Sequence, residues 1–141
     1  ANARTVAFGA GAELEPIARA LAAEGSTCLP PSTPSDAVFA ADAGITAAQF
    51  GVAETGSIAL LADRGPARVA SLVPPLHVAL LPRRRLLRDL DEFFAQAKTP
   101  LPHAVTLITG PSRTADIELQ LVVGVHGPRE LLVVLVDDDG A

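Results

Sequence analysis

Residues 76–81, Leu-His-Val-Ala-Leu-Leu, form a nearly continuous apolar run that begins directly after Pro74-Pro75. An apolar run of this length predicts a strand that is buried on both faces, which is the kind of strand that parallel sheets contain. Similar runs stand at 57–62, 68–73, 104–109 and 131–136, and shorter strand candidates stand at 5–8 and 26–29.

Amphipathic segments alternate with these predicted strands. Residues 13–24 place apolar side chains on one helix face and end at Gly25, and residues 83–97 carry a longer apolar stripe. Residues 113–122 are predicted as a further helix. The alternation predicts an α/β fold with a mainly parallel sheet covered on both faces. Ligands of such sheets bind beyond the carboxyl ends of the strands, and the turn at 109–118 belongs there if its strand is parallel.

Composition restricts the class of protein. The 141 residues suit one domain, and because aromatic residues make up only 4%, the core must be built from Ala, Val, Leu and Ile. Eleven basic against sixteen acidic side chains argue against nonspecific nucleic-acid binding, which needs an excess of Lys and Arg. The one dense basic cluster, Arg83-Arg84-Arg85 with Arg88, is interpreted as a solvated helix face.

Cys28 is the only cysteine of the sequence. It cannot form an internal disulfide, which favours a cytoplasmic protein, and one thiol cannot hold an iron–sulfur cluster that takes four thiolates. We interpret Cys28 as a buried, inert thiol. No apolar stretch is long enough to cross a bilayer, and no basic-then-apolar leader is present.

The polar segment Thr109-Gly110-Pro111-Ser112-Arg113-Thr114-Ala115-Asp116-Ile117-Glu118 follows a predicted strand. Ser112 or Thr114 can cap the predicted helix, and Arg113 offers a planar cation to a carboxylate or phosphate. A strand, a glycine turn and a helix start together form an anion-binding geometry. The alternative is an ordinary connection with an exposed arginine.

Several ordered motifs carry a family resemblance. They are the segment above, Gly51-Val52-Ala53-Glu54-Thr55-Gly56-Ser57, Ser71-Leu72-Val73-Pro74-Pro75-Leu76-His77-Val78 and Gly124-Val125-His126-Gly127-Pro128. Together they resemble the LUD-domain family, and within it the branch of lactate-utilization proteins C, over the last two thirds of the chain. Ser57 stands where the family often has Thr.

The resemblance implies a three-layer α/β/α sandwich of the NagB/RpiA/CoA-transferase-like type. It also implies a single LUD-type domain over residues 1–141, from which the longer, helix-rich N-terminal arm of the family is missing. The sequence begins at Ala1 and contains no Met, which agrees with a missing arm.

Two residues are candidates for catalysis. Glu54, before a glycine turn, could be an acid, base or nucleophile, since related CoA transferases use a Glu near such a turn as acyl carrier. The alternative is a structural carboxylate that bonds to a loop or pairs with Arg113. His126, between Gly124 and Gly127, could donate a proton near neutral pH, or it could simply pack in a turn.

The predicted ligand-binding residues belong to the same motifs, and we expect the motifs to surround one cleft. These residues are Thr55, Gly56, Ser57, Thr109, Gly110, Ser112, Arg113, Thr114, Asp116, Glu118 and Gly127.

No metal site and no dinucleotide site are predicted. The possible ligands His77, His103, His126, Asp116 and Glu118 lack the close spacing typical of zinc. Gly9-Ala10-Gly11 follows a strand, but Leu14 stands where a dinucleotide motif has its third glycine.

The resemblance implies a component of a bacterial L-lactate utilization system that converts lactate to pyruvate. In such a system, two of the proteins carry cysteine motifs for iron–sulfur clusters. Since this chain lacks those cysteines, it would hold no cofactor. The electrons would pass through these iron–sulfur partners, the lactate-utilization proteins A and B. A small anionic ligand is also implied. Two alternatives stay open: a freestanding enzyme acting on a small carboxylic acid or its CoA or phosphate ester through Glu54, and a scaffold or binding subunit without catalysis.

Overall fold

A computed structural model describes residues 4–62, 68–97, 104–111, 113–115, 121–123 and 127–137. The strands are β1 (Thr5–Phe8), β2 (Thr27–Leu29), β3 (Ala43–Ala47), β4 (Phe50–Val52), β5 (Ser57–Ala62), β6 (Leu76–Pro82), β7 (Leu86–Leu87), β8 (Ala104–Ile108), β9 (Arg113–Ala115), β10 (Leu121–Val123) and β11 (Glu130–Val136). The helices are α1 (Glu15–Ala23), α2 (Ser35–Val38), α3 (Val69–Leu72) and α4 (Leu90–Gln96), with 3-10 turns at Ala12–Leu14 and Arg83–Arg85.

Five strands form a sheet in the order β11-β6-β3-β1-β2, and every neighbouring pair is parallel. The apolar run that begins at Leu76 becomes β6, which pairs with β3 on one side and with β11 on the other. The predicted mainly parallel sheet is therefore confirmed, and so are the predicted strands at 57–62, 76–81 and 131–136.

Helices cover this sheet on both faces. On one face, Val6, Phe8 and Ile45 pack against α1 through Ile17 and Leu21. On the other face, the core unites the intervening Ala7 of β1 with Val38 of α2 and Ala70 of α3. The alternation of side chains along each strand separates these two cores and produces the predicted three layers.

A second sheet packs beside the first. Its strand order is β7-β4-β5-β8, in which β5 is antiparallel to both β4 and β8. Ile58 and Leu60 of β5 meet Ala79 and Leu81 of β6, so the two sheets share one apolar core. Because β8 belongs to this antiparallel sheet, the turn after it does not lie at the carboxyl edge of the parallel sheet.

The predicted helix over 113–122 is wrong. Arg113–Ala115 and Leu121–Val123 are instead antiparallel strands, with Val122 opposite Thr114. Ile117, Leu119, Leu121 and Val123 recur every second residue, which is the strand period, and β-branched residues favour strands. Consequently, Thr114 lies in a strand and cannot begin a helix that holds an anion, whereas the predicted cap at Ser112 lies outside the described residues.

Two other predicted elements are corrected. Residues 68–73, predicted as a strand, contain α3, because a short apolar run fits a buried helix equally well. Residues 83–97, predicted as one helix, contain a 3-10 turn, β7 and then α4. The helix begins only after Asp89, whose carboxylate accepts a hydrogen bond from the Glu92 amide at 2.8 Å and so caps the first turn.

Among the described residues, no helix combines the length and the apolar character that a bilayer crossing requires.

Gly44 in β3 permits the close approach of α3 to the sheet. A Cβ at this position would overlap the carbonyl oxygen of Ala70 and crowd the ring of Pro74 at 3.2 Å. The obstruction is mainly backbone, so a rotamer change cannot relieve it, and α3 would have to move away from its core contacts with Ala7 and Val38.

We expect Gly44→Ala to lower the free energy of unfolding by at least about 2 kcal/mol, because the added methyl forces α3 off the sheet. Urea denaturation followed by circular dichroism measures the change. Gly110→Ala is the matched control, since a Cβ at Gly110 meets nothing within 4 Å. Equal stability of the two variants would contradict the close packing at Gly44.

Candidate functional site

A row of hydroxyl groups joins β5 to the end of β8. The antiparallel register pairs Ile58 with Ile108, which places Ser57 beside Thr109. Their hydroxyl oxygens lie 2.9 Å apart, and the Thr55 hydroxyl lies 2.7 Å from that of Ser57. Gly56 between them has φ 66°, a left-handed conformation that glycine adopts without strain. Two of the predicted motifs therefore meet at Ser57.

A cavity of about 290 Å³ opens beside the last member of this row. Its walls come from α3, from the beginnings of β6 and β11 and from the end of β8. The lining residues are Ser71, Leu72, His77, Thr106, Leu107, Ile108, Thr109, Gly110, Gly127, Pro128 and Leu131. Three predicted ligand-binding residues, Thr109, Gly110 and Gly127, thus share one cavity.

Among the described residues, two buried polar side chains line this cavity. Ser71 donates its hydroxyl to the Arg68 carbonyl at 2.8 Å, and His77 is the other. It is 0% exposed, and its Nε2 lies 2.8 Å from the Thr46 hydroxyl of β3. Its Nδ1 is buried and has no hydrogen-bond partner among the described residues. Burial lowers the pKa of His77 from 6.5 to about 4, so the imidazole is neutral at physiological pH.

A neutral imidazole carries one donor and one acceptor nitrogen, and the Thr46 hydroxyl can bond to either tautomer. The Nδ1 atom is therefore an acceptor when Nε2 is protonated and a donor when it is not. Leaving this nitrogen unpaired destabilises the fold by about 1–3 kcal/mol, so a ligand that bonds to it recovers that free energy.

In the sequence, His77 is a possible metal ligand and a member of the proline-pair motif, and it was not predicted to bind a ligand otherwise. The available signal was a polar side chain inside an otherwise apolar strand, directly after the proline pair. Its partner Thr46 lies in a stretch to which the sequence assigned no element, so the pair could not be recognised before the register of β3 and β6 was known.

Glu54 lies on the exposed turn between β4 and β5. Its backbone amide donates to the carbonyl of Arg88 at 2.9 Å. The pKa of Arg88 is raised mainly by its hydrogen bond to Asp89, and Glu54 makes the smallest contribution to that rise. A cationic neighbour of Glu54 is therefore Arg88, and the predicted pairing of Glu54 with Arg113 stays a prediction.

The other predicted site residues are described in part or not at all. Arg113 and Thr114 lie on β9. Ser112, Asp116, Glu118 and the proposed catalytic His126 lie outside the described residues.

The described part of this site is suited to hydrogen bonding. The Thr106 hydroxyl, on the face of β8 that packs against β6, can donate to a carboxylate oxygen, while His77 offers a neutral ring nitrogen. Over the ranges that the structure describes, no group of three His, Cys, Asp or Glu side chains is arranged to hold a metal ion. The arrangement can bind and orient a small polar molecule.

Comparison with known proteins gives a consistent family. Lactate utilization protein C of Macrococcus caseolyticus is 38% identical over 104 residues, which cover 70% of this chain and 45% of the relative. Lactate utilization protein C of Halalkalibacterium halodurans gives the same identity and coverage. The chain therefore spans just under half the length of these curated relatives.

The parallel-sheet architecture also occurs in a solved structure. A crystal structure of a DUF162 family protein from Deinococcus radiodurans superposes with a TM-score of 0.54 and covers 95% of this chain and 88% of its own. The sequence identity of 23% restricts this likeness to the fold.

The family model described as LUD domain matches residues 32–136, a range that contains β3 to β11 and therefore both the hydroxyl row and the His77 cavity. With three quarters of its residues inside that match, the chain belongs to the LUD domain family.

Proposed function

We propose that this chain is a non-redox, ligand-binding component of a lactate utilization system. The names of its relatives support the metabolic setting. The single cysteine supports a role without an iron–sulfur cluster of its own, because such clusters normally take four thiolates. Electrons from lactate would then pass through partner proteins that carry the clusters, the lactate-utilization proteins A and B.

The observation that carries the binding role is buried His77 in the cavity that Thr106 and Thr109 also line. Ser57 fixes the position of Thr109 through a hydrogen bond of 2.9 Å, and Thr109 lines the cavity that also contains His77. A 2-hydroxy or 2-oxo acid matches this arrangement. Its carboxylate would accept from hydroxyl groups, and its 2-oxygen would bond to the imidazole ring.

In this proposal the chain binds and orients the acid, and oxidation takes place with the partners' clusters. A neutral imidazole suits such a role, because it can accept a hydrogen bond from a hydroxy acid or donate one to an oxo acid without changing its charge. The low pKa of His77 keeps it neutral across the physiological range.

The enzyme alternative depends on Glu54. The structure places this carboxylate on an exposed turn, and it is not among the described residues that line the His77 cavity. A Glu54 nucleophile would form a covalent acyl adduct with an acyl-CoA. Mass spectrometry of the chain after incubation with acetyl-CoA tests this, and an adduct that disappears in Glu54→Gln would favour the enzyme over our proposal.

We expect Ser57→Ala to impair lactate-dependent growth and to weaken binding of L-lactate or pyruvate by about tenfold. The variant removes the hydroxyl that positions Thr109, and a neutral hydrogen bond contributes about 0.5–1.5 kcal/mol. Growth with the chromosomal gene replaced, and NMR titration of the protein, measure the two effects.

Ser32→Ala is the matched control, because Ser32 is an exposed serine before α2 and is not among the described residues that line the cavity. A Ser57→Ala variant that folds, binds and supports growth like this control would remove the hydroxyl row from the site.

The stability of the protein should depend on pH through His77. The folded pKa of about 4 lies below the unfolded value of 6.5, so between these values the unfolded chain binds the extra proton. Stability is therefore unaffected by His77 above about pH 6.5 and falls as the pH drops towards 4. The slope approaches about 1.4 kcal/mol per pH unit, for a total of about 3 kcal/mol.

Urea denaturation at about pH 7, 6, 5 and 4.5 measures this slope. His77→Gln retains an amide for Thr46 and cannot titrate, so the pH dependence assigned to His77 should be absent. Asp42 and Asp89 are present in both proteins, so the stability that their lowered pKa values lose as the pH falls through the carboxyl range cancels in the comparison. Identical slopes for the two proteins would contradict a buried neutral His77.

The purified chain alone should show no iron–sulfur absorbance and no lactate-dependent dye reduction. Adding cluster-bearing lactate-utilization proteins A and B should restore dye reduction. Anaerobic purification, a visible spectrum and an iron assay test the first expectation. Stoichiometric iron and sulfide, or turnover by the chain alone, would overturn the non-redox role.

A further inference from the structure

A second cavity, of about 580 Å³, lies at the carboxyl edge of the parallel sheet. It is bounded by the ends of β3, β6 and β11 and by Glu13 and Ile17 from the segment after β1. His77 is the second residue of β6, and Pro82 at the cavity is the last. The two sites are therefore separated by about 16 Å along the strand.

The two sites also use opposite faces of β6. Leu80 faces α1 and the second cavity, whereas His77 and Leu81 face the antiparallel sheet. Residues from one cavity do not line the other.

Strand order marks this edge as a binding position. From β1 the chain moves outward to β2 and then returns to β3 on the other side of β1. The order therefore reverses between β1 and β3, and open α/β sheets bind ligands beyond the carboxyl ends of strands at such a reversal. Glu13 follows β1 and Gln49 follows β3, so the cavity takes lining residues from both sides of this point.

Two arginines supply positive charge to the cavity. Arg84 and Arg85 follow the end of β6 and line it, whereas Glu13 is the acidic side chain of the described lining. Arg85 is half-buried, donates to the Gln49 carbonyl at 3.3 Å, and lies 6.0 Å from the ring centroid of Phe50. These contacts already orient its guanidinium. Binding an anion therefore costs less side-chain conformational entropy than it would for a freely moving arginine.

The wall next to the arginines is rigid. The side-chain amide of Gln49 donates to the Ala47 carbonyl at 2.9 Å and accepts from the Leu61 amide at 2.7 Å. Gln49 thereby ties the end of β3 to β5 and holds the carbonyl to which Arg85 donates. At the rim, Arg83 and Asp137 form an exposed ion pair at 3.2 Å.

The remaining wall is apolar. Ile17, Leu80, Val134 and Val136 line it, and Val136 remains 40% exposed. An apolar wall beside two guanidinium groups matches a ligand that has an anionic head and a hydrocarbon body, since each buried CH₂ group contributes about 0.8 kcal/mol.

We propose that this carboxyl-edge cavity binds an amphipathic organic anion, with a carboxylate or phosphate at Arg84 and Arg85 and a hydrocarbon body against Leu80 and Val134. This site is additional to the His77 cavity and does not depend on the function proposed for it.

NMR titration of the ¹⁵N-labelled chain with hexanoate, hexyl phosphate, acetate and inorganic phosphate tests the proposal. Hexanoate or hexyl phosphate should bind with a Kd of about 1 mM and change the chemical shifts of the backbone amides of Gln49, Arg85 and Val134. Acetate and phosphate should bind at least about tenfold more weakly, because they lack the hydrocarbon body. The comparison of the two hexyl probes identifies the preferred head group.

Arg84→Gln should weaken hexanoate binding by about tenfold, the effect expected of losing one charge-assisted contact. Arg129→Gln is the matched control, because Arg129 is an exposed arginine before β11, at the opposite end of that strand. Val134→Ala should weaken hexanoate but not acetate. The proposal is overturned if no probe gives saturable shifts at this edge, or if Arg84→Gln and Arg129→Gln bind hexanoate equally.

Discussion

The register of β6 between β3 and β11 is the constraint on which both cavities depend. The pairing sets Gly44 against His77 on one side and Leu131 against His77 on the other. Because side chains alternate along a strand, a slip of one residue would send His77 into the core under α1 and Leu80 towards the antiparallel sheet. Burial on both faces makes that slip costly. Gly44 adds to the constraint, because it gives α3 the space to cover the sheet at this point.

The junction between the two sheets has a similar importance. Ser57 and Thr109 lie on the antiparallel sheet, whereas His77 lies on the parallel one, so their distance depends on how the sheets are joined. Ile58 and Leu81 provide the shared apolar core, and Gln49 adds directional hydrogen bonds to Ala47 and Leu61. Hydrophobic burial is not directional, so polar contacts of this kind are what fix the sheets in one relative position.

The sequence was sufficient for strands whose apolar runs are long and bounded by proline or glycine, such as β6 and β5. It was insufficient where tertiary pairing decides the structure. Residues 86–87 become a strand only because β4 offers them a partner, and the antiparallel sheet depends on pairings between Ser57–Ala62 and Ala104–Ile108 that are distant in sequence. Within the site, the motifs indicated Thr109 and Gly127. They did not indicate His77, because its burial against Thr46 follows from strand register rather than from spacing.

His77 is also what distinguishes the cavity from ordinary packing. The hydroxyls of Ser57 and Thr109 bond to each other, so this pair alone would be compatible with a purely structural role. Within the part of the chain that the structure describes, no group satisfies His77 Nδ1 in this way. An apolar side chain of similar size at this position of β6 could be buried without the free-energy cost of an unpaired polar atom. It would also avoid the loss of stability at acidic pH. Native folds retain unsatisfied buried polar groups mainly where function requires them. The stability that the fold loses by burying the unpaired Nδ1 of His77 is therefore the best argument that the cavity binds a ligand.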